Sequence, residues 1–224
     1  MKKGYLVIKR IFDVISSVIA LIICIVPWLI IASIIKIQSP GPAIYKARRV
    51  GLNGKVFILY KFRTMRVDSG GVHATTLRGD PRIFAFGVFL RKSKLDETPQ
   101  LINILKGDMS FIGPRPEDED NSNLFYVDEY KKILSVKPGL SSPASLYDYT
   151  HGEKYENEMD YVKEFMPKKL DVELYYVKHR SCWYDFQIIL RTISTILQIM
   201  AGNENLKEPK EVNLCEKEKR KQFY

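Results

Sequence analysis

A run of 22 uncharged residues, Val14–Ile35, constrains this chain more than any other feature. At about 1.5 Å per helical residue, such a run just covers a hydrocarbon layer about 30 Å thick. It is long for a signal-peptide core and lacks an A-x-A cleavage site. Its interior and its flanks both argue against a plain crossing. Pro27 stands near the middle, where it removes a helical hydrogen bond and collides with the preceding turn. Each half is then too short to cross alone. Cations flank both ends: Lys2, Lys3, Lys9 and Arg10 before the run, Lys36, Lys46, Arg48 and Arg49 after it. Cationic flanks stay in the cytoplasm, so both ends are expected on that side. The run is predicted to enter the membrane, bend at Pro27 and return.

Charge is unevenly spread. The net charge is +9, yet residues 1–66 hold 12 Lys/Arg against the single acid Asp13, while the remainder holds 23 Lys/Arg against 25 acids. A basic block of this kind serves either nucleic acid or an anionic lipid surface. Here the cations flank an apolar run and do not interleave with exposed aromatics, which favours lipid and argues against nucleic acid. Cys24, Cys182 and Cys215 form no CxxC, and His73, His151 and His179 show no metal-ligand spacing. The cysteines read as reduced thiols. There is no Walker A loop and no GxGxxG.

Beyond the apolar run, Ser39-Pro-Gly-Pro42 is a rigid exit. Ala43–Arg49 and Val56–Arg63 read as two extended runs around Gly51-Leu52-Asn53-Gly54, a hairpin. Its end carries Lys61 and Arg63, either of which is a candidate to face a site. Val67–Arg82 reads as a polar loop, Asp118–Asn123 as a solvated acidic turn, Leu124–Leu134 as helix and Lys137-Pro138-Gly139 as a turn. Residues 153–178 show helical periodicity interrupted at Pro167. Phe186, Ile189, Leu190, Ile193, Ile196, Leu197 and Met200 form one stripe at helical spacing, either core or membrane interface, with Trp183 and Tyr184 at headgroup level. Residues 203–224 are highly charged and are expected to be a loose tail. The expected division is a membrane helix (1–38), a catalytic domain (39–202) and this tail.

The chemistry concentrates in Leu90–Glu117, LRKSKLDETPQLINILKGDMSFIGPRPE. Two adjacent acids, Asp96 and Glu97, lie between Arg91, Lys92 and Lys94 on one side and Arg115, held between two prolines, on the other. A carboxylate can attack phosphorus and carry the group covalently, provided cations offset the repulsion between anions. Arginine grips phosphate oxygens in a bidentate way that lysine cannot. Leu101, Ile102, Ile104 and Leu105 predict a helix that Gly107 ends, with Asp96 and Glu97 at or near its start. The competing reading of such a pair is a helix cap and a first-turn charge.

The whole string decides between them. DETPQLINILKGDMSFIGPRPE closely resembles the signature of the bacterial sugar transferases, the monotopic phosphoglycosyl transferases. SPGPAIYKARRVG (39–51), KFRTM (61–65), VKPGLSSPAS (136–145) and the final apolar helix match that family in order. The resemblance implies an α+β, mainly helical fold. It would comprise a re-entrant membrane helix broken at Pro27, a small β-hairpin and a helical active-site domain with amphipathic interface helices. It implies transfer of a sugar-1-phosphate from a UDP-sugar to polyprenyl (undecaprenyl) phosphate at the cytoplasmic face of a bacterial inner membrane, through an aspartyl phosphosugar. Asp96 is then the nucleophile and Glu97 its catalytic partner, either holding Mg²⁺ together with Asp96 or orienting the acceptor. Arg91 is a phosphate clamp, Arg115 grips the donor, and Lys61 is a weaker second contact. The alternative is an inactive membrane-anchored binding or assembly protein of the same fold. The sequence departs from commoner members at Val26, where many have serine before the proline, and at Ser141-Ser142, where Thr-Gly is frequent.

Overall fold

The apolar run becomes one helix, α1 (Lys3–Gln38), in the computed structural model, which describes residues 3–67, 80–152, 155, 158–203 and 205–222. Helix continues through Pro27, so the expected break is not an interruption of the helical run. Asp13, Ser17, Ile31 and Ile35 on α1 are buried. Ala20, Leu21, Cys24 and Trp28 pack on Leu59, Leu101, Ile104 and Met109. These positions recur every three or four residues and so form one stripe of the helix. The opposite face, including Ile15, Ile19, Ile22, Val26 and Ile30, is exposed.

Polar contacts fix the start of α1 to the body. Tyr5 donates its hydroxyl to Asp185 at 2.8 Å, and Lys9 pairs with the same carboxylate at 2.6 Å. Arg10 donates to the carbonyls of Ile104 and Leu105 at 2.7 and 2.8 Å. Asp13 accepts from the Ser110 hydroxyl and the Phe111 N–H, both at 3.0 Å. At the far end, Ile31 and Ile35 cluster with Phe62, Phe84 and Leu90.

The expected hairpin forms. β1 (Ile44–Val50) pairs antiparallel with β2 (Val56–Phe62), Ile44 opposite Phe62 and Val50 opposite Val56. The turn needs left-handed backbone at Asn53 (φ 55°) and Gly54 (φ 77°), conformations that asparagine and glycine adopt at least cost. Next come α2 (Ala85–Ser93), a 3₁₀ turn over Leu95–Gln100, and α3 (Leu101–Lys106), ended by Gly107 at φ 92°. The Asn103 side chain knits α3 to β2, donating to the Ile58 carbonyl at 2.7 Å and accepting from the Tyr60 N–H at 3.1 Å. The loop expected over Val67–Arg82 lies mostly outside the described residues.

Several local expectations need correction. Gly139 is the start of a strand and not a turn: β3 (Ser110–Ile112) pairs in parallel with β4 (Gly139–Ser141). A Cβ on Gly139 would lie 2.1 Å from the Gly113 nitrogen, so only glycine permits this approach. The acidic run at 118–123 is helical, because Asp118 accepts the Asn121 N–H at 2.8 Å and caps α4 (Glu119–Phe125). The helix expected over Leu124–Leu134 is a 3₁₀ run, Asp128–Ser135, since the left-handed Asp128 (φ 47°) separates it from α4. Then follow α5 (Pro143–His151), the short α6 (Glu158–Asp160), a π turn at Tyr161–Phe165 and α7 (Met166–His179) with Pro167 in its first turn.

Most of the apolar stripe on α8 (Cys182–Met200) lies outside the core. Trp183, Phe186, Leu190, Ile193, Leu197 and Met200 are exposed, while Ile188 is buried. The charged end is also not the loose tail that composition suggested. It forms α9 (Lys210–Gln222), whose Val212 and Cys215 bury against Tyr147 and Phe165. Glu211, fully buried, pairs bidentately with Arg191 at 2.6 and 2.8 Å. All three cysteines are free.

Candidate active site

The two acids sit inside the 3₁₀ turn and not at its cap. Lys94 occupies the cap position, and no side chain caps the turn. Asp96 is 5% exposed and Glu97 7%. The Asp96 Oδ1 atom is buried with no hydrogen-bond partner, so the capping role does not hold for it. An orphaned buried carboxylate oxygen is unfavourable for folding alone. Trp28 of α1 supports the turn from below, donating Nε1–H to Thr98 at 3.0 Å.

Arg115 reaches Glu97 across the site, with Nη2 at 3.0 Å from Oε1. The Pro-Arg-Pro turn is fastened by its backbone. The Arg115 N–H donates to Glu173 at 2.8 Å, and the Gly139 N–H donates to the Pro114 carbonyl at 2.8 Å. The Val50 N–H donates to the Glu117 carbonyl at 2.8 Å, while the Glu117 side chain pairs with buried Lys169. Arg91 donates Nε–H to the Thr64 hydroxyl at 3.2 Å. Lys61 extends from the end of β2 past the Tyr45 ring, 5.4 Å from its centroid.

The electrostatics separate the two carboxylates. Burial, and then the charge of Glu97, push the Asp96 carboxyl up to about 6, against the pull of Lys94, Lys61 and Arg91. Burial would raise Glu97 as well, but Arg115 first, then Lys94 and Lys61, hold it below the usual range. Lys61 is depressed, chiefly by burial, with Asp96 opposing and Arg91 adding to the effect. The pair is thus split into one more basic, unanchored carboxylate and one firmly ionised, anchored carboxylate.

All five residues singled out in the sequence, Lys61, Arg91, Asp96, Glu97 and Arg115, share one electrostatic neighbourhood. Arg63 does not join them. Its guanidinium donates to the Pro40 and Ser39 carbonyls at 2.6 and 2.5 Å, closing the exit of α1. Sequence reading passed over Tyr149 and Glu173. The Tyr149 hydroxyl is raised by burial and then by Glu97, which places it beside the acids. Glu173 lies 58 positions from Arg115. No local pattern signals either residue.

Among the described residues, no group of three or more His, Cys, Asp or Glu can hold a metal ion alone. Mg²⁺ commonly uses one or two carboxylates completed by substrate phosphates. Asp96, with its unpartnered oxygen, and Glu97 fit a site of that kind.

Residues 4–199 match the model of the bacterial sugar transferase family. The chain belongs to that family. Among its relatives, the chain is 37% identical over 208 residues to the galactosyl transferase CpsE of Streptococcus agalactiae, covering 88% of this chain and 43% of that one. It is 34% identical over 193 residues to a UDP-glucose:undecaprenyl-phosphate glucose-1-phosphate transferase of Caulobacter vibrioides, covering 84% and 69%. It is 38% identical over 200 residues to a UDP-N-acetylgalactosamine-undecaprenyl-phosphate N-acetylgalactosaminephosphotransferase of Aeromonas hydrophila, covering 86% and 44%. The chain therefore spans under half the length of two of these relatives and about two thirds of the third. Their names carry three different sugars.

Proposed function

We propose that this chain is a phosphoglycosyl transferase that moves a sugar-1-phosphate from a UDP-sugar to undecaprenyl phosphate through a covalent aspartyl phosphosugar. The observation that carries the reading is the unpartnered, buried Asp96 oxygen in the field of Lys94, Lys61 and Arg91, with Arg115 held on the adjacent Glu97. The relatives' names, which specify undecaprenyl-phosphate sugar-phosphate transfer, support it.

In the first step an Asp96 carboxylate oxygen attacks the sugar-bearing phosphorus. The bond between that phosphorus and the bridging oxygen breaks, and UMP leaves. In the second step a phosphate oxygen of undecaprenyl phosphate attacks the same phosphorus and displaces the Asp96 carboxylate, giving the undecaprenyl diphosphosugar. Each step exchanges one phosphate linkage for another, so no energy source is needed. The raised basicity of Asp96 suits a nucleophile that is ionised at neutral pH. Arg115, anchored on Glu97, and Arg91, anchored on Thr64, would hold phosphate oxygens as charge shifts toward the leaving group. Mg²⁺ held by Asp96 and Glu97 would neutralise the diphosphate.

A soluble donor and a lipid acceptor must meet at one site, so we place the enzyme at the cytoplasmic membrane face, with α1 re-entrant and both of its ends cytoplasmic. Cations on both flanks of α1 support this. So does the packed stripe from Asp13 to Ile35, because a helix fastened along its length to one body cannot send its ends to opposite sides alone. The exposed apolar faces of α1 and α8 offer a surface for lipid. Cysteines placed at Gly4 and Lys55 should both label from the cytoplasmic side only, and labelling from opposite sides contradicts the re-entrant topology. For the activity, UMP release is measured in detergent against a panel of UDP-sugars with undecaprenyl phosphate. Release by the wild type and none by Asp96→Asn is expected. No release with any donor, or turnover by Asp96→Asn, contradicts the proposal.

A further inference from the structure

Lys94 joins α2 to the 3₁₀ turn that carries the acids, and its backbone is left-handed (φ 57°, ψ 17°). Its N–H donates to the Arg91 carbonyl and its carbonyl accepts the Glu97 N–H, each at 3.2 Å. A residue with a Cβ is strained in this conformation, whereas glycine is not. A turn built only for stability would favour glycine. Lysine there keeps a strained backbone and gains a side chain whose charge acts on both acids, the kind of strain that gathers at functional sites.

The Lys94 ammonium is held unusually. No carboxylate among the described residues forms an ion pair with it. It stands 3.8 Å from the centroid of the Tyr149 ring, a cation–π contact. It also acts on Asp96 more strongly than Lys61 or Arg91 does. Tyr149 comes from α5, 55 positions away, and its hydroxyl lies in the field of Glu97, Arg115, Asp148 and Asp96. Lys94 therefore links the turn that carries the nucleophile to α5, with its charge acting on Asp96. A ring face holds an ammonium weakly compared with a phosphate, so an arriving anion can take the cation without uncovering a buried carboxylate.

We propose that Lys94 is a further phosphate-contacting residue of the transfer reaction, and that Tyr149 positions it by holding its ammonium over the ring until the donor diphosphate arrives. This rests on the phosphoglycosyl transferase reading above. The test uses the full chain in detergent, UMP release and thermal unfolding. Lys94→Gly should match or exceed the wild-type Tm, since it relieves the left-handed strain, yet lose about 100-fold in kcat/KM. Lys94→Arg should recover activity to within about tenfold of wild type, because it keeps a cation. Tyr149→Phe keeps the ring and should stay within about threefold, whereas Tyr149→Leu should lose about tenfold. The Tyr149→Leu loss should vanish in the Lys94→Gly background, as coupled residues require. Lys94→Gly activity within about threefold of wild type overturns the assignment while leaving the transferase reading intact, provided Asp96→Asn is dead. A fall in Tm that accounts for the lost activity marks Lys94 as structural and also overturns it.

Discussion

Replacing Asp96 by asparagine should stabilise the protein while abolishing its reaction. The carboxyl is 5% exposed, with one oxygen unpartnered, and its pKa rises from 3.8 to about 6. The folded state therefore binds this proton more tightly than the unfolded chain. Stability attached to it is present in acid and is lost as pH rises from about 4 through about 6. About two pKa units at about 1.4 kcal/mol each give roughly 3 kcal/mol of destabilisation above pH 7. Asparagine keeps the shape without the charge and removes that penalty. For a chain of this size, about 2–4 °C accompanies each kcal/mol, so Asp96→Asn should melt about 6–12 °C higher at pH 7.5. Wild type and variant are compared by thermal unfolding in one detergent from pH 4 to 8. The difference should shrink towards pH 4, where the wild-type carboxyl is already protonated. A variant no more stable at pH 7.5, or a gap that widens in acid, would refute the idea that buried charge sets the basicity of Asp96.

The same ionisation should shape the rate. Donor-dependent UMP release should fall about tenfold per pH unit below about pH 6, because only the carboxylate attacks; a flat acid limb contradicts this. Arg191→Ala strands the buried Glu211 carboxylate and should destabilise by about 3 kcal/mol in urea unfolding, whereas a change below about 0.5 kcal/mol would show that α9 is not held by this pair. A fluorophore on a cysteine placed at Leu190 or Leu197, on the exposed face of α8, should be quenched by brominated lipid tails once the protein is reconstituted into vesicles; no quenching would show that this face does not meet lipid.

What could be read from the sequence was local. Asp96, Glu97, Arg91 and Arg115 lie within one 28-residue stretch, so their chemistry was visible as a pattern. The hairpin was visible because its turn residues match its backbone. What depends on distant partners was hidden. Glu173 matters because it accepts the Arg115 N–H, and Tyr149 because its ring meets Lys94. Lys61 and Arg63 looked equivalent on a strand of period two, but β2 ends at Phe62 and Arg63 turns to the carbonyls closing α1. α9 was missed because charge dominates its composition, while what holds it is a few contacts with distant partners: Val212 and Cys215 in the core, Glu211 on Arg191, and Lys219 on Asp171. The α8 stripe could not be assigned to core or interface from spacing alone, since both show the same period.

The most direct test is the intact mass of the enzyme after rapid quenching with donor and without acceptor. The account predicts a burst of UMP equal to the enzyme present, with one phosphosugar adduct that maps to Asp96, disappears on addition of undecaprenyl phosphate and never forms in Asp96→Asn. An adduct on another residue, or UMP that appears only when both substrates are present, would contradict it.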